Sequence, residues 1–142
     1  MKFTAHGKLL LTGEYAITQS AQGIAMPTSF GQHLSLESHQ GSEHVHWEAF
    51  DHENQLWFTA SFNREGRVLH SSSEAIAQKL LAFLAPVLHS KAWNASVRVQ
   101  TKVDFPRLWG LGTSSTLCAL LAQWAEIDVL SYRDLHGGSG YD

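Results

Sequence analysis

Two glycines, Gly110 and Gly112, are followed at once by four hydroxyl residues, Thr113, Ser114, Ser115 and Thr116, and then by an apolar run. A tight bend leading into a helix start is a physical recipe for holding an anion. The first N–H groups of a helix have no acceptor within the helix, and its dipole adds partial positive charge there. Glycine lets the backbone approach a ligand with no Cβ in the way, and the hydroxyls suit phosphate oxygens or a Mg²⁺ ion. The same order of residues also caps an ordinary helix. No lysine stands between the second glycine and the hydroxyls, so the stretch is not a Walker A loop and a P-loop NTPase is excluded.

Two charged residues elsewhere have the chemistry to act on such an anion. Lys8 lies in "AHGKLLLTGEY" and Asp142 closes the chain in "GGSGYD". Taken alone, Lys8 reads as a solvated lysine on a strand edge and Asp142 as a turn residue. Among the nine histidines, His44 and His46 share a strand face at an i, i+2 spacing, with His39 and His52 near them. A zinc site needs three or four converging ligands, and no cysteine or compact His-Glu motif joins these, so they read as the polar face of a strand. The five tryptophans are too scattered for a nucleic-acid platform. Trp109, inside the glycine loop, is placed either to flank an adenine or ribose or to anchor the loop.

The elements that must position these residues follow from hydrophobic periodicity. Ala95, Val97, Val99, Thr101 and Val103 alternate with Ser96, Arg98, Gln100 and Lys102, which predicts a half-buried strand. Similar alternation marks Leu34/Leu36, Val45/Trp47/Ala49 and Leu56/Phe58/Ala60/Phe62, the last two joined by a polar "DHEN" hairpin. Between them and the strand at Ala95, Ser71 precedes Glu74 at capping-box spacing and Ile76, Leu80, Leu84, Val87 and Leu88 form one stripe. This predicts an amphipathic helix kinked or ended by Pro86. A second helix is expected from Thr113, with Leu117, Leu120, Leu121 and Trp124 inward, ending between Ile127 and Val129. The order implies an α+β fold: a mixed, largely antiparallel sheet with helices packed on one face.

A chain of 142 residues, 44% hydrophobic and without a linker-like tract, has the material for one core, so residues 1–142 read as a single domain. A formal charge of -3 with no basic run speaks against a nucleic-acid partner. The lone Cys118 rules out an internal disulfide and fits a reducing, cytoplasmic setting. At the N-terminus the three-leucine run is too short for a signal core or a membrane span, so no membrane partner is expected.

The segment from Pro106 to Ser115 resembles the second signature, Pro-x-x-x-Gly-Leu-Gly-Ser-Ser-Ala, of the galactokinase, homoserine kinase, mevalonate kinase and phosphomevalonate kinase (GHMP) superfamily. "AHGKLLLTGEYAI" is similar to that superfamily's first signature, and "GGSGYD" to the segment that carries its catalytic aspartate, especially in a branch marked by Gly-Tyr-Asp-Ile-Ala. The resemblance implies an ATP-dependent kinase using Mg²⁺ that moves the γ-phosphate to an alcohol or phosphate acceptor. Gly110, Leu111, Gly112, Thr113, Ser114 and Ser115 would hold the triphosphate, with Ser115 touching Mg²⁺. Asp142 would accept the acceptor's proton and Lys8 would polarise the reacting oxygens. Glu14 and Tyr15 would meet the acceptor substrate, although Tyr15 also suits a core aromatic.

His6 in place of proline and Thr116 in place of a small apolar residue depart from the family pattern, without removing a phosphate ligand. The short span from Ser115 to Asp142 leaves the family's metal-binding glutamate unplaced, and Glu126, Asp128 and Asp134 read as helix-end or surface charges. "GEY" leans toward a mevalonate- or phosphomevalonate-like acceptor, with a decarboxylating relative as a close variant. Family members are about twice as long, so the resemblance implies an N-terminal ATP-binding domain, inactive alone, that pairs with a C-terminal half or with itself. A noncatalytic nucleotide-binding or protein-interaction module is the competing reading.

Overall fold

The computed structural model describes residues 1–12, 24–109 and 111–132. Six strands form one sheet: β1 (Lys2–Thr12), β2 (Ile24–Ser38), β3 (Val45–Phe50), β4 (Leu56–Phe62), β5 (Val68–Ser71) and β6 (Val97–Val103), in the order β1-β2-β6-β3-β4-β5. Every neighbouring pair is antiparallel except β3 with β6. Two helices, α1 (Glu74–Leu88) and α2 (Thr113–Ala125), complete the described α+β fold. Among the described residues no helix is long and apolar enough to cross a membrane.

The two-residue period decides which side of the sheet the helices cover. Leu34, Trp47, Ala60 and Val99 fall on one face and are buried with Leu80 and Leu84 of α1 and Leu120 and Leu121 of α2. Their neighbours in sequence, among them His46, Glu48, Arg98 and Gln100, project to the opposite, polar face. The parallel β3–β6 pairing puts Glu48 beside Gln100. There Glu48, buried but for 9% of its surface, accepts from Arg98 Nε at 3.1 Å, Arg98 Nη2 at 2.8 Å and Gln100 Nε2 at 2.8 Å. Leu117, expected inward, is partly buried at the margin of the same core.

Element ends depart from the periodicity for local reasons. α1 is capped by Ser73, which accepts from the Ile76 N–H, rather than by Ser71. Ser71 belongs to β5, where it pairs with Ala60, and its hydroxyl reaches the Glu74 carboxylate at 3.3 Å. Pro86 does not end α1, which runs two residues further to Leu88. α2 stops at Ala125, earlier than expected, because Glu126 takes a left-handed conformation (φ 56°) and its N–H closes onto Ala122 and Gln123 carbonyls. The strand expected from Ala95 begins at Val97, after a 3₁₀ turn at Lys91–Asn94 that buries Trp93. The "DHEN" hairpin is a turn held by Asp51 Oδ1, which accepts the N–H groups of Glu53 and Gln55.

Cys118 is buried, and desolvation pushes its thiol pKa up to about 11, so it packs as an apolar residue rather than a nucleophile. The Tyr132 hydroxyl donates to the Phe83 carbonyl at 2.9 Å and ties the segment after α2 back onto α1.

Arg98 holds the Glu48 carboxyl below its ordinary pKa of 4.5, chiefly by hydrogen bonding. The pair therefore contributes its full stabilisation above that ordinary value, and the contribution is lost as pH falls through the folded-state pKa. Arg98→Ala is expected to cost about 1–3 kcal/mol at neutral pH, with a smaller difference from the parent in acid. Urea titrations at the two pH values check this, and an equal difference at both would contradict it.

Candidate functional site

The hydroxyl-rich bend forms the entry to α2. Gly112 is the N-cap in a left-handed conformation (φ 81°, ψ 46°), which an L side chain adopts only with strain. With no side chain, Gly112 offers no capping acceptor to the first-turn amides. The helix therefore presents N–H groups and dipole toward whatever lies before it.

Edge strand β1 lies there. The Lys8 N–H donates to the Leu111 carbonyl at 3.1 Å. Close approach of the two segments depends on Gly7, where a Cβ would stand 3.0 Å from the Leu111 oxygen and 3.2 Å from Thr28 Oγ1. Pairing with β2 is interrupted at the same place: His6 opposes Gly31, but Lys8 opposes Pro27. Such a bulge re-aims the side chains that follow it. Here it lays the Lys8 stem over the helix entry, with Cε 3.5 Å from where a Cβ on Gly112 would sit. Partial burial pushes the Lys8 ammonium below its ordinary pKa of 10.5, the mark of a cation short of solvation.

Two clefts flank the first turn of α2, because successive helical residues point about 100° apart. One, of about 310 Å³, is lined by Gly7, Lys8, Pro27, Leu111, Gly112 and Ser115. The other, of about 320 Å³, is lined by Phe50, Trp57, Lys79, Lys102, Thr113 and Ser114. Each thus combines lysine with a helix-start hydroxyl, and the second adds an aromatic wall of the kind that accepts a flat ring. Both fall within the size range of small-molecule sites.

The structure therefore brings together Lys8, Leu111, Gly112, Thr113, Ser114 and Ser115. Gly110, Glu14, Tyr15, Asp134 and Asp142 lie outside the described residues. Thr116, counted in the sequence among the hydroxyls open to phosphate, is buried instead. Its Oγ1 donates to Gln32 Oε1 at 2.6 Å and lies 3.0 Å from the Thr113 carbonyl. Trp109 packs edge-on against Phe30 with ring centres 5.7 Å apart and lines neither cleft. It anchors the loop rather than flanking either cleft. Asp128 accepts the Leu130 N–H, in keeping with a helix-end charge.

The described histidines around β3 are held by other partners. His44 is buried between the Trp93 carbonyl and the Ser96 hydroxyl, while His46 reaches Ser61 and Glu48. Among the described residues no group of three or more ligands is suited to a metal ion. Among the hydroxyls of the first turn of α2, Ser115 lines the cleft beside Lys8.

Lys79, Lys102, Trp57 and Gln32 escaped sequence reasoning. Lys102 was visible only as a polar member of an alternating strand, and nothing in its neighbours placed it beside a helix nearly a dozen residues on. No protein-family model matches the chain, and no curated protein matches it. The family resemblance therefore rests on the three sequence motifs alone.

Thr116→Val is expected to cost about 1–3 kcal/mol, because it leaves the buried Gln32 amide without its partner. Adding Gln32→Leu to Thr116→Val should recover part of that loss in a denaturation cycle. Gly112→Ala is expected to cost about 1–2 kcal/mol through its left-handed φ, since the added Cβ meets Lys8 only at ordinary contact distance. Unchanged midpoints for both single variants would overturn these assignments.

Proposed function

We propose that this chain is the nucleotide-binding domain of an ATP-dependent phosphotransferase of the GHMP kinase type, acting on an alcohol or phosphate acceptor. The observation that carries the reading is the junction of Lys8 with Leu111 and Gly112, which brings the lysine of one motif onto the helix entry of another far along the chain. Lysine, glycine bend and first-turn amides in one place are what a transferred phosphoryl group requires, because its transfer depends on positioning and on neutralising charge.

Two clefts meeting at one helix start suit a two-substrate reaction. The aromatic cleft, with Trp57, Lys79 and Lys102, is the natural seat for base and ribose, and the polyphosphate then crosses the first turn of α2. The opposite cleft receives the acceptor beside Lys8. There the ammonium offsets charge on the oxygens around phosphorus, and its partial desolvation strengthens that interaction. In this scheme Asp142 takes the proton of the attacking hydroxyl, Glu14 and Tyr15 orient the acceptor, and Mg²⁺, when bound, supplies further charge neutralisation. The Gly-Glu-Tyr sequence favours a mevalonate- or phosphomevalonate-like acceptor.

Phosphate transfer to a panel of alcohols and phosphate esters, by this domain together with the C-terminal half that the resemblance implies, tests the reading. Lys8→Ala is expected to lower kcat by about 10²–10³. Asp142→Asn is expected to lower it by about 10²–10⁴ with little change in ATP affinity, since the amides and not the carboxylate hold the triphosphate. Gly112→Val should weaken ATP binding itself. Turnover unchanged in Asp142→Asn would refute the base assignment, and ATP binding without transfer to any acceptor would favour a noncatalytic nucleotide-binding module.

A further inference from the structure

The sheet face opposite the helices carries a further cleft of about 450 Å³, which shares only Phe50, Thr101 and Lys102 with the aromatic cleft of the phosphotransfer scheme. Its composition follows from strand register. Thr4 opposes His33, His33 opposes Lys102, and Lys102 opposes Phe50, so these four form one row across β1, β2, β6 and β3. In the next row Lys2 opposes Ser35 and Ser35 opposes Gln100. Asn54 closes one end from the β3–β4 turn, where it is held in a left-handed conformation (φ 61°). Lys2 is not on a loose end: Met1 exchanges backbone hydrogen bonds with Leu36, which holds the strand start in place.

The charge balance of this cleft is one-sided. Neither Lys2 nor Lys102 has an ion-pair partner among the described residues. Three nearby carboxylates, Glu48, Asp51 and Asp104, are engaged by other groups, and Glu37 opposes Arg98. Glu48 is occupied by Arg98 and Gln100, and Asp51 by the amides of its own turn. Asp104 faces His33 Nε2 at 2.7 Å and the Gly31 N–H at 3.3 Å, while His33 Nδ1 is 3.0 Å from Thr4 Oγ1. A chain of net charge -3 thus keeps two uncompensated ammonium groups over one concave, hydroxyl-lined patch.

We infer that this face binds a small phosphate monoester as a dianion. Lys2 and Lys102 supply the charge, Ser35 and Asn54 supply neutral donors, and Phe50 supplies an apolar wall for the organic part. Two lysines match two negative charges, and a compact dianion lets both ammonium groups act as point charges on one tetrahedral group. The cleft volume fits a small molecule rather than a polymer. The inference stands on the sheet face alone and holds whether or not the helix start carries phosphotransfer.

Titration of the ¹⁵N-labelled full chain with inorganic phosphate tests it, because amide shifts resolve this face from the helix entry. Saturable shifts at Lys2, Ser35, Asn54 and Lys102 are expected, weakening as NaCl is raised. Lys2→Ala, on an exposed strand edge, should weaken that response by about threefold, with Lys2→Arg restoring most of it. Shifts confined to Leu111–Ser115, or an unaltered response in Lys2→Ala, would overturn the site. Binding to vesicles of anionic lipid without any response to free phosphate would overturn the choice of ligand.

Discussion

One backbone hydrogen bond, from the Lys8 N–H to the Leu111 carbonyl, holds an edge strand against the start of a helix that is remote in sequence. The site needs a helix entry whose amides point at something and a cation that stays near them. A lysine on a free strand edge would remain in water, where an ammonium is best solvated. Gly7 removes the Cβ that would press on Leu111 and Thr28, the bulge opposite Pro27 turns the lysine, and Gly112 takes the left-handed turn over which the lysine stem lies. The bond thus converts two local motifs into one electrostatic feature.

The sheet sorts the remaining chemistry by face. Its apolar side is closed by α1 and α2, and the polar atoms that enter there are tied off, as Thr116 and Gln32 tie each other. Among the described side chains no buried nitrogen or oxygen is left without a hydrogen-bond partner. On the other side, Arg98, Gln100 and Glu48 form a cross-strand cluster in which the carboxylate is satisfied by three donors. Satisfied clusters fix register, because a slip of one residue would exchange them with the apolar face. Lys102 stands where these arrangements meet, at the end of β6, bordering both the aromatic cleft and the cationic one.

Much of the fold was legible in the chain because its signals are local and periodic. The alternation through Val97, Val99, Thr101 and Val103 and the stripe through Leu80, Leu84 and Val87 correspond to β6 and α1 as observed. Less legible were β5, only four residues long, and the capping of α1, where adjacent serines compete and the β4–β5 pairing claims Ser71 for the sheet. A strand pairing is a nonlocal decision that no three-residue spacing reveals. The inward turn of Thr116 has the same origin: among the four consecutive hydroxyls, the one that faces the core is set by where β2 and Gln32 lie.

By itself the sequence determined the fold class, the helix behind the glycine bend and the candidacy of Lys8 and of residues 111 to 115, since each depends on residue type and short-range spacing. Tertiary structure alone decided that Lys8 reaches Gly112, that Trp57, Lys79 and Lys102 share a cleft with Thr113, and that Lys2 and Lys102 line one cleft with no ion-pair partner among the described residues. The physical reason is that charge and solvation act through space over a few ångströms. Which groups fall within that reach is set by strand register and helix packing, and neither is written in any short stretch of the chain.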